Sequence, residues 1–351
     1  MSGDATPAPL EYPEATVRTL LGPAWAETTL AAYRWMRLGR ALDARMQALQ
    51  RQGRVGFYGA ATGQEAVNVA AGLATTPEDW IFPGLREQLV ALVRGHPLVA
   101  YAHHLFADDR DPSRGRNMPC HPSAREVHYV SMSSVIGTQI SHAVGLAYAL
   151  RQKRAAGVSV AFFGDGATSA NDFHAGLNFA VVEHLPVLFC CTNNQWAISL
   201  PVERQSASAS FASKAAAYGL PGRRIDGTDF FAVYSELVRA LRDARAGQGP
   251  VLLELVTYRM TAHSSSDDPT RYQPKDWASR AVAHDPVARL ESWLRGHGQI
   301  DTAGSDAIGR EVEDEVRAAV ELAEATPPPV RASLTEDVYA PVDSRGAPAA
   351  E

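Results

Sequence analysis

The stretch FFGDGATSAND, residues 162–172, carries an apolar run directly into a turn in which Asp165 lies between two glycines. The apolar run begins at VSVAFF (158–163), a helical segment follows at 172–183, and a second apolar run, VLFCCT, follows at 187–192. A strand, a crossover helix and a second strand in this order place the two strands parallel in one sheet. This unit therefore predicts an α/β fold.

The rest of the chain repeats the alternation of short apolar runs and helical segments. Further strands are predicted at 80–82, 127–132 and 251–258. Further helices are predicted at 27–52, 85–94, 138–153, 230–245 and 306–325, with a helix of small residues after the turn-rich GFYGAATGQEA. The predicted fold class is α/β, with a mainly parallel sheet and helices on both faces.

Three segments are expected along the chain. Residues 1–26 are rich in proline and should form a loosely ordered N-terminal arm. Residues 27–300 should form the α/β domain, and residues 301–351 a C-terminal helix and a polar tail.

Composition indicates a globular protein with a sizeable core: the 351 residues are 46% hydrophobic and 21% charged, with a formal net charge of -6. The basic residues are scattered and no apolar stretch is long enough for a membrane span, so neither nucleic acid nor a membrane is an expected partner. The N-terminal stretch lacks a signal-peptide core and carries acidic residues before its first arginine. The expected location is therefore the cytoplasm of a bacterium.

The turn around Asp165 has the residue types that bind a metal and a phosphate. Parallel strands end at the same edge of a sheet, so Asn193 and Asn194, which follow the second strand, are expected near Asp165. A carboxylate, a carboxamide and backbone carbonyls are hard oxygen ligands suited to Mg²⁺. Gly164 and Gly166 let backbone N–H groups approach a phosphate near a helix N-terminus. The sequence therefore predicts a magnesium ion that holds a diphosphate.

Two other interpretations of this turn compete with the metal site. Gly-Asp-Gly alone is a common structural turn, and it is the asparagine pair after the next strand that favours function. GDGATS also resembles a dinucleotide-binding fingerprint. However, Ser169 stands where the third glycine belongs, and Thr192 and Asn193 stand where an acidic residue would end the next strand.

Together with further motifs, these residues resemble a known family. GDG followed by NN resembles the thiamine-diphosphate motif. RQGRVGFY, GQEA, RNMPCHPS, TNNQWAISLP, RIDGTDFFAVY and TYRMTAHSSSDD resemble the alpha subunit of 2-oxo acid dehydrogenases, in family order and over most of the chain. By this resemblance Asp165, the Asn194 amide oxygen and the Trp196 carbonyl would ligate Mg²⁺. Gly166 and Ala167 would offer backbone amides to the diphosphate.

The resemblance also assigns roles to residues far from the turn. Arg86 and His263 match positions that reach the diphosphate and the mouth of the active site, with His263 as the catalytic candidate. Ser134 and Ile136 lie in SSVIGTQ, which matches the segment that holds the aminopyrimidine, and Ile136 would force the bent cofactor conformation. In related enzymes this segment can also hold K⁺, and three of its side chains are compatible with that: Ser133, Thr138 and Gln139.

These roles compete with ordinary structural ones, and the chain departs from the family pattern in places. Without the resemblance, Arg86 would be expected to pair with a helix carboxylate, Ile136 to lie in the core and His263 in a surface loop. Leu85 stands where relatives often have tyrosine, and Thr192 where some have arginine. Relatives also tend to have SEGD where this chain has SAND. These three departures are expected to weaken cofactor binding unless the partner chain compensates for them.

The resemblance implies an enzyme that needs a partner chain. Thiamine diphosphate would accept the electron pair left when a small 2-oxo acid loses CO₂. A self-contained enzyme of this type needs two domains of typical size, whereas this chain has one such α/β unit. The carboxylate beside the aminopyrimidine would come from a beta subunit in an α₂β₂ heterotetramer, and a lipoyl acyltransferase component would receive the acyl group.

The sequence indicates the substrate class less clearly than it indicates the cofactor. GFYGAAT and HSSSDD resemble branched-chain 2-oxo acid dehydrogenases, and the small residues 59–61 would leave space for a branched side chain. Pyruvate and acetoin dehydrogenases stay open as alternatives, because one methylene changes binding by only about 1–3 kcal/mol. A non-catalytic scaffold subunit is the alternative of another class. Ser264 matches a serine that is phosphorylated in mitochondrial relatives.

Overall fold

A five-stranded parallel sheet lies at the centre of the structure, a computed structural model that describes residues 12–336. The strands are β1 (Trp80–Phe82), β2 (Ser159–Gly164), β3 (Val187–Asn193), β4 (Trp196–Ala197), β5 (Leu200–Pro201), β6 (Gly222–Asp226) and β7 (Val251–Val256). The main sheet has the order β1-β2-β3-β7-β6 with every neighbouring pair parallel, whereas β4 and β5 form a separate antiparallel hairpin. The predicted fold class is confirmed.

Helices cover both faces of this sheet. They are α1 (Glu14–Leu21), α2 (Trp25–Arg51), α3 (Glu65–Ala74), α4 (Gln88–Val93), α5 (Leu98–Phe106), α6 (Thr138–Lys153), α7 (Asn171–Val182), α8 (Val202–Gln205), α9 (Phe230–Arg245), α10 (Trp277–Ala283), α11 (Pro286–Gly296) and α12 (Thr302–Glu324). Between residues 12 and 336, no helix combines the length and the apolar character that crossing a membrane requires.

The burial of both sheet faces explains the almost unbroken apolar runs in the strands. Successive side chains of a strand point to opposite faces, so Phe162 and Phe163 on β2 enter different cores. Phe162 packs in the core that includes α2, α3 and α9, and Phe163 packs in the core that includes α6 and α7. Two separate hydrophobic layers thus hold the sheet between them.

The connections between the strands change face only after β6, because the segment between β3 and β6 packs in the same core as α6 and α7. Helices α6 and α7, which lead into β2 and β3, lie on one face, whereas α9, which connects β6 to β7, lies on the other. The chain runs from β3 to β6 at the edge of the sheet and then returns to β7, so the strand order reverses between β3 and β7. In open α/β sheets the crevice at such a switch point, outside the carboxyl ends of the strands, is where ligands bind.

The predicted strand at 127–132 is wrong. A 3₁₀ turn covers Arg125–Val127, and His128 adopts a left-handed backbone conformation with φ 51°, which breaks the extended run. Tyr129 then forms isolated bridges to Ile81 of β1 and to Ala124. The segment therefore touches the edge of the sheet at a single residue and leaves it again.

Most other predicted elements are present with shifted ends. α6 and α9 cover the predicted residues 138–153 and 230–245. The predicted helix at 85–94 begins only at Gln88, so Arg86 lies in the turn before α4. Part of the predicted loose arm is ordered instead, because residues 14–21 form α1 and bury Val17. Residues 1–11 of the arm and the tail after residue 336 lie outside the described residues, and the predicted domain boundaries stay predictions.

Candidate active site

The turn that contains Asp165 and the segment that contains Asn194 follow neighbouring strands. β2 and β3 pair in parallel with Gly164 opposite Thr192, and a 3₁₀ turn over Asp165–Ser169 follows β2 without a gap. β3 ends at Asn193, directly before Asn194. The predicted parallel pairing, with both strands ending at one edge of the sheet, is confirmed.

Asp165 is a buried carboxylate with an unsatisfied oxygen. The residue is 1% exposed, and its Oδ2 has no hydrogen-bond partner among residues 12–336. Burial raises the pKa of Asp165 to about 7. A buried anionic oxygen without a partner is costly, and a cation bound to it removes that cost. The environment of Asp165 thus fits a metal ligand.

The two asparagines after β3 have different functions in the structure. Asn193 is held within the fold, because its Nδ2 donates to Glu254 Oε1 at 2.8 Å and its Oδ1 accepts from the Gln195 N–H at 3.0 Å. Asn194 Oδ1 accepts from the Trp196 N–H at 3.2 Å. A carboxamide oxygen has two lone pairs, so Asn194 retains one for a cation.

Arg259 is a buried cation that the sequence analysis did not single out. Its Nη1 donates to the Trp196 carbonyl at 3.4 Å, and its Nη2 donates to the Ile198 carbonyl at 2.8 Å and to the Tyr272 hydroxyl at 2.7 Å. The guanidinium therefore fixes the hairpin that carries Trp196. Nothing in the local pattern TYRMT separates a buried arginine from an exposed one, so only the fold shows this contact.

The oxygen donors at this edge are of the kinds that Mg²⁺ prefers. The carboxylate of Asp165, the carboxamide of Asn194 and the carbonyl of Trp196 would hold the ion. The described part of the chain contains no group of three or more His, Cys, Asp or Glu side chains that could hold a metal. A single carboxylate leaves coordination positions for phosphate and water oxygens. The donor set therefore suits magnesium bound together with a diphosphate.

The two glycines of the turn have different surroundings. A Cβ on Gly166 would lie 2.9 Å from the Cβ of Ala197, so the packing of the turn against β4 excludes a side chain there. A Cβ on Gly164 would meet no atom within 4 Å. The backbone at Gly164 thus borders open space, which allows the close approach of a phosphate that the sequence predicts. Ala167, the other predicted amide donor, is buried in the same turn.

Arg86 and His263 are brought together although 177 positions separate them. Arg86 Nη2 donates to the His263 carbonyl oxygen at 2.6 Å and approaches His263 Nδ1 at 3.4 Å, and Nη1 donates to the carbonyl oxygen of Ala60. None of these three acceptors is a carboxylate. The ordinary structural role considered for Arg86, an ion pair with a helix carboxylate, is therefore wrong.

The surroundings of His263 keep its imidazole uncharged. Burial, with a further contribution from the positive charges of Arg86 and Arg259, lowers the pKa of His263 to about 4. A guanidinium can only donate, so Nδ1 accepts from Arg86 and the ring proton lies on Nε2. At neutral pH His263 therefore offers an N–H donor.

The GFYGAAT loop packs against the segment that carries His263. The Tyr58 N–H donates to Ser265 Oγ at 3.2 Å, and the Ser265 N–H donates to the Tyr58 carbonyl at 3.0 Å. A Cβ on Gly59 would lie 3.3 Å from Leu85, so Leu85 occupies the space beside this glycine. The departure at position 85 thus shapes the region that was expected to receive a branched side chain.

The SSVIGTQ segment presents apolar side chains to solvent. Ile136 is 65% exposed and Val135 is 68% exposed, so the core position considered for Ile136 is wrong. The hydroxyl of Ser134 forms a hydrogen bond with His121 Nε2. Since His121 Nδ1 lies 2.9 Å from the Pro119 carbonyl and must donate to it, Nε2 accepts from Ser134.

The residues considered for K⁺ lie at the start of α6. Ser133 Oγ accepts from the Val135 N–H at 3.1 Å, and Thr138 Oγ1 donates to the Val135 carbonyl at 3.0 Å. Gln139 Nε2 donates to the Phe162 carbonyl at 2.9 Å. Gln139 Oε1 is buried without a hydrogen-bond partner among the described residues, which leaves one oxygen available for a cation.

Glu87 is a second buried carboxylate that sequence reasoning missed. Its Oε2 accepts from the Arg86 N–H at 3.3 Å, and its Oε1 lies 3.5 Å from the hydroxyl of Thr192. Burial raises the pKa of Glu87 to about 7. Position 192, where some relatives have arginine, thus lies beside this carboxylate, to which Thr192 offers only a hydroxyl.

Comparisons with known proteins agree on one family. The sequence profile described as "Dehydrogenase E1 component" matches residues 33–331. The 2-oxoisovalerate dehydrogenase subunit alpha 2, mitochondrial, of Arabidopsis thaliana is 40% identical over 293 residues, which are 83% of this chain and 62% of that protein. The 3-methyl-2-oxobutanoate dehydrogenase subunit alpha of Mycobacterium tuberculosis is 42% identical over 305 residues, 85% of this chain and 80% of that protein. The chain thus spans less than two thirds of the Arabidopsis protein.

Proposed function

The chain belongs to the dehydrogenase E1 component family, and from this membership we propose that it is the alpha subunit of a branched-chain 2-oxo acid dehydrogenase. The proposed reaction is the oxidative decarboxylation of a 2-oxo acid, followed by transfer of the acyl group to a lipoyl group. The names of the relatives, which refer to 2-oxoisovalerate and 3-methyl-2-oxobutanoate, support this substrate class.

Thiamine diphosphate is the cofactor on which this family in general depends. When bound, it supplies an electron sink for the pair left behind as CO₂ departs. We propose that Asp165, Asn194 and Trp196 hold its magnesium ion and that the backbone at Gly166 and Ala167 faces its diphosphate. The segment 133–139 would hold the aminopyrimidine side and a potassium ion.

The observation that carries this proposal is the unpartnered Oδ2 of Asp165. It lies at the carboxyl end of β2, at the edge of the parallel sheet where ligands of α/β proteins bind, and burial has raised its pKa. Perturbed carboxylates in such crevices are commonly functional. A purely structural turn would have no use for a buried carboxylate oxygen that bonds to nothing.

His263 and Arg86 would act on the reacting groups as a hydrogen-bonded pair. Because the pKa of His263 is lowered to about 4, its imidazole is neutral at working pH and presents Nε2–H. This favours a role as an orienting hydrogen-bond donor in the lipoyl acylation step over a role as a charged acid. Arg86 holds both the backbone and the ring of His263 in place.

A beta subunit is the proposed partner, in an α₂β₂ heterotetramer that delivers acyl groups to a lipoyl acyltransferase. Exposed apolar side chains beside a site commonly mark a protein interface. Val135 and Ile136 form such a pair within the segment predicted to hold the aminopyrimidine. The beta subunit would cover these two side chains and supply the carboxylate that is needed beside the aminopyrimidine.

Turnover of the purified complex tests the proposal. With thiamine diphosphate and Mg²⁺, reduction of an artificial electron acceptor is measured with 3-methyl-2-oxobutanoate, pyruvate and acetoin. We expect kcat/KM to be roughly 10- to 200-fold higher for the branched substrate than for pyruvate. A preference for pyruvate or acetoin would assign one of the alternative activities.

Calorimetry that detects no cofactor binding would favour the scaffold subunit.

A further inference from the structure

Asp43 is a buried carboxylate on α2 that the proposed reaction does not use. It is 2% exposed, its Oδ1 accepts from the Tyr58 hydroxyl at 2.7 Å, and its Oδ2 accepts from the Thr62 hydroxyl at 2.7 Å. Burial raises the pKa of Asp43 to about 6, so the ionised form is disfavoured in the interior. Both of its oxygens thus hold hydroxyls from one loop.

The loop between these hydroxyls carries an acceptor for Arg86. Tyr58 and Thr62 flank Gly59, Ala60 and Ala61, and the carbonyl oxygen of Ala60 accepts from Arg86 Nη1. Asp43 therefore fixes the loop on both sides of the carbonyl that orients the guanidinium.

The same loop also contacts the segment that carries His263. Tyr58 exchanges two hydrogen bonds with Ser265, and the Thr62 carbonyl accepts from the Met260 N–H at 3.4 Å. These contacts lie on either side of His263 in the sequence. One buried side chain on α2 is thus connected to both members of the Arg86–His263 pair.

We propose that Asp43 is a positioning residue of the active site: by holding Tyr58 and Thr62, it fixes the loop that sets Arg86 and His263 relative to each other. Its effect on turnover rests on the proposed function, whereas its effect on the loop does not. A displacement of about 1 Å in a catalytic group can lower the rate about 10²-fold. Replacing a residue that does not touch the reacting groups can therefore lower the rate by this factor.

Two substitutions of Asp43 separate acceptor geometry from charge. Asp43→Leu keeps the branched shape, with methyl groups in place of the two oxygens, and removes both acceptors. Asp43→Asn is uncharged, but its oxygen accepts from one hydroxyl and its NH₂ donates to the oxygen of the other. Retained function in Asp43→Asn together with lost function in Asp43→Leu is the pattern that positioning predicts.

Asp79→Asn is the matched control. Asp79 is also fully buried, but it lies at the amino end of β1, away from the ligand edge of the sheet. Its side chain accepts from the Thr76 N–H at 2.8 Å and from the Val158 N–H at 2.9 Å. Asp79→Asn should lower the midpoint of thermal unfolding and leave kcat/KM unchanged. This is the result expected when a carboxylate with only a structural role is replaced.

In the complex with the beta subunit, we expect Asp43→Leu to lower kcat/KM for 3-methyl-2-oxobutanoate about 10²-fold. We expect it also to weaken the binding of thiamine diphosphate with Mg²⁺, measured by calorimetry, and Asp43→Asn to stay within about fivefold of the wild type in both. A folded Asp43→Leu complex with wild-type kcat/KM and cofactor affinity would overturn the proposal. Equal losses in the Leu and Asn variants would also overturn it, because charge would then be the cause.

Two further measurements decide the matter if Asp43→Leu does not fold or if the wild type shows no turnover. Tyr58→Phe and Thr62→Val each remove one hydroxyl, and each should lower kcat/KM by about fivefold, whereas unchanged values would contradict the proposal. Amide hydrogen exchange over residues 58–64, without cofactor, should be faster in Asp43→Leu and in the two hydroxyl variants than in Asp43→Asn or Asp79→Asn. An inactive wild type would remove the proposed function, and the exchange rates alone would then decide whether Asp43 fixes the loop.

Discussion

Arg86 donates a hydrogen bond of 2.6 Å from Nη2 to the carbonyl oxygen of His263, and its second terminal nitrogen donates to Ala60. A planar guanidinium with fixed N–H directions can serve two acceptors in this way, whereas an ammonium is a single point charge. The pair therefore depends on the shape of the arginine side chain as well as on its charge.

Arg86→Lys is expected to lower kcat/KM although it keeps the positive charge. Hydrogen bonds to charged groups are worth about 1.5–3 kcal/mol, so the loss should be roughly 10- to 100-fold. Arg94→Lys is the control, because Arg94 also bonds to backbone carbonyls, those of Val127 at 3.0 Å and Asp79 at 2.9 Å, but at the other edge of the sheet. Equal values of kcat/KM in Arg86→Lys and Arg94→Lys would show that Arg86 has no role in the active site.

The titration of His263 is expected to report on its two arginine neighbours. The pKa of His263 is lowered to about 4, below its ordinary value of 6.5. The protonated ring is thus disfavoured in the folded state, and the free energy of unfolding falls as the pH drops through 6.5 towards 4. NMR titration of labelled imidazoles, assigned with His263→Gln, should find the wild-type pKa below 5.5 and a higher pKa in Arg86→Met. An ordinary pKa in the wild type would contradict the burial of this ring.

Asp165→Asn is expected to stabilise the unliganded protein and to abolish its response to cofactor. The pKa of Asp165 is raised from 3.8 to about 7, so the free energy of unfolding of the wild type falls as the pH rises through this window. At pH 8 the Asn variant should therefore be more stable by roughly 1–4 kcal/mol, and near pH 3 the difference should vanish. Denaturant unfolding measures both values.

Thiamine diphosphate with Mg²⁺ provides the second part of the Asp165 test. Ligand that binds only the folded state raises the midpoint of unfolding. This increase should occur in the wild-type complex and be absent in Asp165→Asn. If the cofactor stabilised the variant as strongly as the wild type, Asp165 would not be a metal ligand.

The two glycines of the turn form a matched pair for a further experiment. Gly164→Ala meets no neighbour and has an ordinary φ of -79°, so the free energy of unfolding should be unchanged or slightly raised. Its methyl group should nevertheless weaken cofactor binding. Gly166→Ala should lower both stability and binding, because its Cβ would lie 2.9 Å from Ala197. Unchanged cofactor affinity in Gly164→Ala would show that no phosphate approaches this face of the backbone.

Sequence reasoning could place Asp165 and Asn194 at one edge of the sheet because both follow apolar runs joined by a crossover helix. The register of β2 and β3, with Gly164 opposite Thr192, is what that argument requires. Arg259 and Asp43 could not be found in this way. Each acts through contacts with loops far away in the chain, and no local spacing encodes such contacts.

The fold was predictable where local signals and tertiary packing agree. α6 and α9 have strong helix formers and clear ends, and their observed bounds match the predicted residues. β6 was missed because GRRID, with two arginines, does not have the apolar pattern of a buried strand, and it pairs only at the sheet edge. The strand predicted at 127–132 failed for the opposite reason. Its apolar residues suit a strand, but the left-handed His128 interrupts the run.

Val135 and Ile136 remain largely in water on this chain. If the proposed heterotetramer forms, every copy of this chain that is synthesised without a beta subunit would leave these two apolar side chains exposed. Exposed apolar surfaces on newly synthesised proteins promote misassembly. The relative translation rates of the alpha-subunit and beta-subunit mRNAs would then determine how much assembled enzyme a cell contains. Production of the chain in a foreign host should, for the same reason, succeed best from a single two-gene transcript.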